Sequence, residues 1–556
     1  MRAPIADVLA QIEAPGAFAT RLRAPADELE IEVVGVGRLS FPITPRMGRN
    51  LRAVARPSPF GLREQTLHDP SVRNTWEIAA RRVKIDARWK PVLSKHLRTL
   101  RTELGFPDDC ELKAVFDKLL LYEEGQFFKP HQDSVKSDGM VATLVVVLPS
   151  EYSGGDLTVE HRGETKSFRR LQNQATDLSL LAFYADCHHA VGSVKSGVRV
   201  ALTYQLLLDG RSKDVRPKAP ADVVDRLTEG VRGHFAVPVV KRYERSEPGA
   251  PERLVYLLDH EYSQRSLSWG QLKNGDRVRV AALRTAAERL DCECFLTLAE
   301  VHETWTCEDD YDYDQYSRRG GRGEDEDADA DETGEYALGE LHDSNIELNH
   351  WLDVAGKHVE GIPGMVRDEE LHFTKPSREL DPFKSEHEGY QGNYGNTVDR
   401  WYHRAAFVMW PRTNTFALRA QASPQWAVDE LLALPRVNTD ELESRVRSLL
   451  PRWKRTAGSV NEARFFAKLI KLSTRIDDAG LAHGWLSPLG AHRLHSQAMR
   501  RDLVALVDKH GFPWAKELFA VWTKDEHWGT PGLAPLLADV CEGLYASKCA
   551  PCEELA

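Results

Sequence analysis

The sequence predicts an α+β protein with an antiparallel strand core in its first half, a second mixed α/β region and a helical C-terminal domain. Three observations carry that expectation. Between residues 106 and 210, apolar runs of strand length recur with turn residues between them. Helical spacing flanks those runs and returns further along the chain. From residue 416 onward only helical spacing remains, interrupted by Pro and Gly. The chain of 556 residues is long enough for several domains, and the patterning divides it into 1–105, 106–210, 211–415 and 416–556.

In order, Ile5–Ile12 has a short helical pattern, Glu30–Ile43 alternates like two strands, and Thr75–Ile85 alternates again before a helix over Arg88–Leu104. Pro57 and Pro59 mark a loop. Strands follow near 111–122, 126–132, 141–149, 156–161, 165–169, 178–185 and 197–208, with Gly154-Gly155 as a turn. Such lengths and spacings fit an antiparallel barrel or sandwich. Beyond it, Asp222–His234 and Arg277–Leu290 have helical spacing, and Pro251–Ser263 and Cys294–Trp305 are strand-like. Residues 343–412 return to strand patterns, in which Trp, Tyr and Phe are expected as core and cross-strand pairs, and the region is expected to be a second, degenerate sheet domain. Helices are then predicted over Gln425–Leu434, Thr439–Trp453, Asn461–Ser473, His495–His510 and Trp514–Thr523.

Composition narrows the classes of function. Hydrophobic residues make up 42% of the protein, no run of 18 apolar residues occurs, and the first residues lack a basic stretch followed by an apolar core, so neither a membrane span nor a secretory signal is expected. Eight scattered cysteines fit reduced thiols and a cytoplasmic protein. Cys549 and Cys552 stand alone at the terminus without a second pair. Of the net charge of −11, residues 308–332 supply −9, from 12 acidic and 3 basic residues. That segment is expected to be a disordered acidic loop, because it has too little apolar content to fold. It does not fit a calcium loop, since Gln315 and Gly321 stand where glycine and glutamate are needed. Net acidity without a basic, aromatic-interleaved face argues against a nucleic-acid partner.

The stretch 118–208 carries chemistry. His131 and Asp133 end an apolar run two residues apart, so on a strand both leave the same face. By itself the spacing says little, since about three His-x-Asp/Glu pairs are expected by chance from 20 His and 84 acidic residues. The sequence has a second such pair, His358 and Glu360, without comparable surroundings. The first pair follows Tyr122, Gly125, Phe127, Phe128 and Pro130, precedes VATLVVVLP, and is answered downstream by His188 or His189 and by Arg199. Two histidines and a carboxylate occupy one face of an octahedral ion, which suits a non-haem Fe(II) centre with three open positions. Zinc would use a similar set and leave Arg199 without a task.

Taken together, Tyr122, Gly125, Phe128, His131-x-Asp133, Thr143, Gly154-Gly155 and His189-x-Val191-x-x-Val194-x-x-Gly197-x-Arg199 resemble the catalytic core of iron- and 2-oxoglutarate-dependent dioxygenases of the prolyl 4-hydroxylase type. The resemblance covers roughly 95 residues. It departs from the family at Leu157, where threonine is common, a change expected to bear on a lip of the barrel. The resemblance implies a double-stranded β-helix, or jelly roll, with residues 1–105 as its buttress. It implies His131, Asp133 and His189 as iron ligands. His189 is favoured over His188 because it stands ten residues before Arg199, as in the family. Arg199 would anchor the far carboxylate of 2-oxoglutarate, with a hydroxyl from Tyr122. Fe(II), 2-oxoglutarate and O2 are the implied cofactors, with room for ascorbate.

Two function classes follow. In one, the protein hydroxylates a C–H bond of a protein residue, proline among them, or of a small molecule, releasing succinate and CO2. In the other, the barrel is a non-catalytic sensor or scaffold whose helical C-terminal domain binds a partner. The complete ligand and anchor set favours the enzyme, while neither the substrate nor the oligomeric state can be read from the sequence.

Overall fold

The computed structural model describes residues 5–62, 65–108, 110–133, 139–170, 176–209, 217, 219–239, 250–307, 338–380, 382–388, 396–458, 460, 463–489 and 497–523, with 538 and 542. The acidic segment 308–332 and the Cys549/Cys552 pair lie outside the described residues. Two compact units are present, residues 1–358 with 364–409, and residues 359–363 with 410–556.

In the first unit, the apolar alternation of the sequence becomes two antiparallel sheets whose side chains meet in one core. The larger sheet runs Ala19–Pro25, Asp177–Tyr184, Met140–Val147, Arg199–Asp209, Glu111–Tyr122, Trp76–Ala79 and Arg56–Pro57. Met140–Val147 (MVATLVVV) is buried at every position, as expected of a central strand covered on both faces. The smaller sheet runs Glu164–Phe168, Leu157–His161, His188–Val191, Phe127–Gln132 and Arg73–Asn74. The helix Trp89–Glu103 buries Trp89, Leu93, Leu97 and Leu100, its apolar stripe at three- and four-residue spacing, in the same core. A further helix, Pro45–Val54, is capped by Thr44, whose hydroxyl accepts from the Met47 N–H, and has Pro at its first position.

The same unit holds a third sheet, built on the long strands Cys292–Cys307, Leu338–Leu352 and Thr397–Pro411. Tyr402 and Phe407 are fully buried in it and Trp401 stacks on His302, so these aromatics are core and cross-strand contacts. The helices Ala221–Ala236 and Asn274–Arg289 bury Leu227, Val231, Val280 and Leu283 against it. The second unit is helical. Its core joins Leu431, Val446, Phe466, Leu469, Leu486 and Leu503, drawn from five of its helices. Among the described residues, no helix is long and apolar enough to cross a membrane.

Gly197 shows how tightly one turn near the site is drawn. Its φ is +77°, and a Cβ there would lie 2.0 Å from the Glu151 carbonyl oxygen. Gly197→Ala is therefore expected to cost about 1–3 kcal/mol from the left-handed backbone alone, with the clash in addition. A lowered urea midpoint is the readout. An unchanged midpoint would show that the neighbouring turn yields.

Candidate metal centre

The two histidine strands set the site. Phe127–Gln132 pairs with His188–Val191, with Phe128 opposite Val191, His131 opposite His189 and Gln132 opposite His188. The register is irregular between Phe128 and His131. Pro130 lies in that interval, and its missing N–H cannot serve a regular ladder. His131 stacks on Phe128 with ring centres 3.4 Å apart, and its ring lies 4.1 Å from that of His189. Phe183, from the larger sheet, packs 4.6 Å from His189. Asp133 stands one residue past its strand and accepts a 2.6 Å hydrogen bond from Thr143 Oγ1 on the opposing sheet.

The ligand atoms of His131, Asp133 and His189 all lie within 4.8 Å of one another. His189 Nε2 is 3.8 Å from Asp133 Oδ2. One ion with bonds of roughly 2 Å can be reached by all three after small side-chain rotations. His131 Nδ1 lies 2.9 Å from the Lys129 carbonyl and His189 Nδ1 lies 3.3 Å from that of Cys187. A proton on each Nδ1 leaves Nε2 bare toward the cluster. Burial lowers both imidazoles below their usual range, His131 well below it with the charge of His189 adding, which favours the neutral form that binds metals. His188, beside His189, is paired with Gln132 and Glu160 and lies outside this cluster.

Arg199 and Tyr122 are directly opposite one another on neighbouring strands of the larger sheet. The Arg199 guanidinium lies 5.3 Å from the centre of the Tyr122 ring, and the Tyr122 hydroxyl makes no hydrogen bond to it among the described residues. Arg199 is 2% exposed, has no carboxylate at ion-pair distance among the described residues, and its Nε has no hydrogen-bond partner. An uncompensated buried guanidinium is costly unless a ligand supplies the counter-charge. A Cβ on Gly155 would lie 3.0 Å from Arg199 Cδ, so the glycine leaves room for this side chain. One cavity of about 90 Å3 is lined by Tyr122, Asp133, His131, His189 and Arg199 together. Leu157 lines it as well. It therefore bears on the site itself, which corrects the expectation that it sits at a lip.

The set fits iron and a carboxylate co-substrate, because three neutral-or-anionic donors converge beside an unpaired guanidinium in one cavity. Such a site is of the kind a metal-dependent oxygenase requires. Residues 118–206 match the 2OG-Fe(II) oxygenase superfamily. This segment is similar to that superfamily over its matched residues, and the protein is a 2-oxoglutarate-dependent dioxygenase using Fe(II), 2-oxoglutarate and O2. No curated protein matches the sequence. Similar solved structures include a 2OG-Fe(II) oxygenase family oxidoreductase from Burkholderia pseudomallei, 14% identical over 36% of this chain and 90% of that one, with a TM-score of 0.22. A prolyl-4-hydroxylase from Pseudomonas putida is 18% identical over 38% and 100%, at 0.22. A Trichoplax adhaerens prolyl hydroxylase, in complex with a hypoxia inducible factor oxygen degradation domain peptide, is 16% identical over 32% and 83%, at 0.23. At these TM-scores the likenesses carry no argument about this protein.

A second polar cluster has no counterpart in the sequence motifs. Asp186, just past the strand Asp177–Tyr184, accepts from His260 Nδ1 at 2.8 Å, Lys273 Nζ at 2.8 Å and the Glu261 N–H at 3.1 Å. His161 Nε2 lies 3.5 Å from the same carboxylate. His260, Glu261 and Lys273 stand 74, 75 and 87 residues from Asp186, so no local spacing could reveal the cluster. Although its histidines and aspartate converge as metal ligands do, Lys273 already neutralises Asp186, and the cluster is a buried ion network that ties the third sheet's region to the core.

Within this network, burial and then the charge of His260 push His161 down to about 4. The unfolded imidazole titrates near 6.5, so between these values the unfolded protein binds the extra proton. The contribution to stability is complete above pH 6.5 and is lost as pH falls toward 4, by roughly 3 kcal/mol. His161→Gln should therefore flatten the fall in stability between pH 6.5 and 4, measured by denaturant titration at a series of pH values. A slope equal to that of the wild type would place the acid sensitivity elsewhere.

Proposed function

We propose that the two facing sheets form a jelly-roll oxygenase core in which His131, Asp133 and His189 hold Fe(II) and Arg199 holds the far carboxylate of 2-oxoglutarate. The enzyme would hydroxylate a C–H bond of a protein residue, proline among them, or of a small molecule. The observation that carries this reading is the buried, unpaired Arg199 in the same cavity as the three convergent donors. Bound iron and 2-oxoglutarate supply the activation of O2, and one oxygen atom enters the substrate C–H bond while the other leaves in succinate with release of CO2.

The protein's own residues prepare that chemistry. The carbonyls of Lys129 and Cys187 fix the two imidazoles with Nε2 inward. Thr143 occupies one lone pair of Asp133 Oδ2 and so restricts how the carboxylate can turn. Arg199 offers a planar pair of donors to a carboxylate, and the ring face of Tyr122 lies against the guanidinium as a cation–π partner. Phe128, Leu157 and Val191 supply apolar wall beside the donors.

The test is succinate formation from Fe(II), 2-oxoglutarate and O2 by the purified protein, with fractionated cell extract as the source of substrate. Wild type is expected to form succinate and Asp133→Ala to form none. Undiminished succinate from that variant would refute the ligand assignment. His189→Ala is expected to abolish iron binding in equilibrium dialysis while His188→Ala retains most of it. The opposite pattern would require redrawing the register of this strand. Arg199→Met should weaken 2-oxoglutarate by about 3–5 kcal/mol, roughly two to four orders of magnitude in Kd, with iron affinity little changed. An equal loss of both would make Arg199 structural.

A further inference from the structure

Asp133 also borders a second, larger cavity of about 450 Å3, within the range of small-molecule sites, roughly 300–1,000 Å3. The segment that matches the oxygenase superfamily contributes only its metal-side edge, through Gln132, Asp133, Ala185 and Asp186. The rest of the wall comes from residues 261–404.

The charged groups on that wall differ in whether their bonds are spent. Asp186 is saturated by Lys273, His260 and the Glu261 N–H. Arg404 is not. It is 1% exposed, and its guanidinium donates to the Lys375 carbonyl at 3.1 Å, to Ser377 Oγ at 3.2 Å and to the Leu258 carbonyl at 2.7 Å. Of the five N–H donors of an arginine, two therefore remain, Nε among them, and no carboxylate pairs with it among the described residues. On the same wall, the half-buried Glu261 carboxylate accepts one bond, from Gln132 Nε2 at 3.0 Å, and has no cation partner among the described residues. Gln132 lies between His131 and Asp133, so Glu261 stands next to the metal side of the cavity.

The wall thus offers a guanidinium with donors to spare and, in Glu261 and the exposed Glu300, carboxylates without a cation partner among the described residues; Glu261 is the one beside the donors of the metal centre, and together with Arg404 it is complementary to a ligand that carries both charges itself. We propose that this cavity binds the substrate, and that the substrate is a free α-amino acid, its carboxylate directed to Arg404 and its ammonium to Glu261, with a C–H bond of its side group toward the metal centre. The proposal rests on the oxygenase reading of that centre and adds the substrate class.

The test uses the full-length protein with Fe(II) and 2-oxoglutarate. Succinate is measured over the substrate-free rate with each proteinogenic amino acid, and then with the N-acetyl and the amide forms of those that respond. At least one free amino acid should raise succinate formation and gain one oxygen atom by mass. Capping either end should lower kcat/KM by roughly ten- to a hundredfold, the worth of one charge-assisted hydrogen bond. In Glu261→Gln, the advantage of the free over the N-acetyl form should disappear. Equilibrium dialysis of the same amino acids against wild type needs no turnover and no variant that might fail to fold. Saturable binding of free but not capped forms supports the proposal even where succinate is absent, and absence of succinate then counts against the oxygenase reading alone. Equal use of capped and free forms, or no binding of any amino acid by a protein that converts 2-oxoglutarate, overturns the proposal and leaves the oxygenase reading standing.

Discussion

The pairing of Phe127–Gln132 with His188–Val191 is the constraint on which the metal centre depends. Side chains alternate faces along a strand, so a slip of one residue would exchange His189 for His188 and turn the donor away from the core. What holds the register is apolar packing on both sides of the imidazoles. Phe128 sits opposite Val191 and stacks on His131, while Phe183 closes on His189 from the larger sheet. The irregularity around Pro130 lies inside this packed frame. The hydrophobic core and the donor geometry are thus one structure, and the histidines inherit their positions from residues that bear no chemistry.

Two buried charges near the centre show opposite treatments, and the contrast carries information. Asp186 is surrounded by a lysine, two histidines and a backbone N–H, so its desolvation is offset within the fold. Arg199 is as deeply buried and has an aromatic ring but no acidic partner among the described residues. A fold that compensates one charge so fully and leaves another open has the open one facing a ligand, because an unpaired guanidinium in a core is otherwise only a cost. The same contrast separates the two convergent histidine–aspartate groups. The group that includes Asp186 is neutralised within the fold by Lys273, and the group beside Arg199 is the one the proposed function uses.

Much of the core is legible in the sequence because its strands alternate and its turns carry glycine. The donors are legible because two of them stand two residues apart in a strand and the third precedes Arg199 by a fixed spacing. What is not legible depends on distant partners. Ala19–Pro25 (ATRLRAP) has charged residues at alternate positions and no apolar pattern, yet it pairs along its whole length with Asp177–Tyr184. Tertiary pairing overrides a weak local preference there. Pro45–Val54 did carry a local signal, Thr before Pro at a helix start, that the alternation around it obscures. His260 and Lys273 reach Asp186 across 74 and 87 residues, a separation at which no periodicity operates.

This separation bears on how activity and recognition are divided along the sequence. Donors, anchor and apolar wall all fall within or beside the stretch 118–206, where short-range spacing is strong. The larger cavity takes its charged groups from Glu261 and from Arg404, on the buried strand Thr397–Pro411, whose place is fixed by the core of a different sheet. Substitutions there can change what the cavity accepts without touching a donor. The Asp186 network is one of the links between the two parts, with the Gln132–Glu261 and Lys375–Arg162 hydrogen bonds. It joins the end of a core strand, two residues before the His188-His189 pair, to the His260 imidazole and the Glu261 N–H. A shift of that wall would therefore pull on the strand that carries His189, so the larger cavity and the convergent donors are coupled through this buried carboxylate.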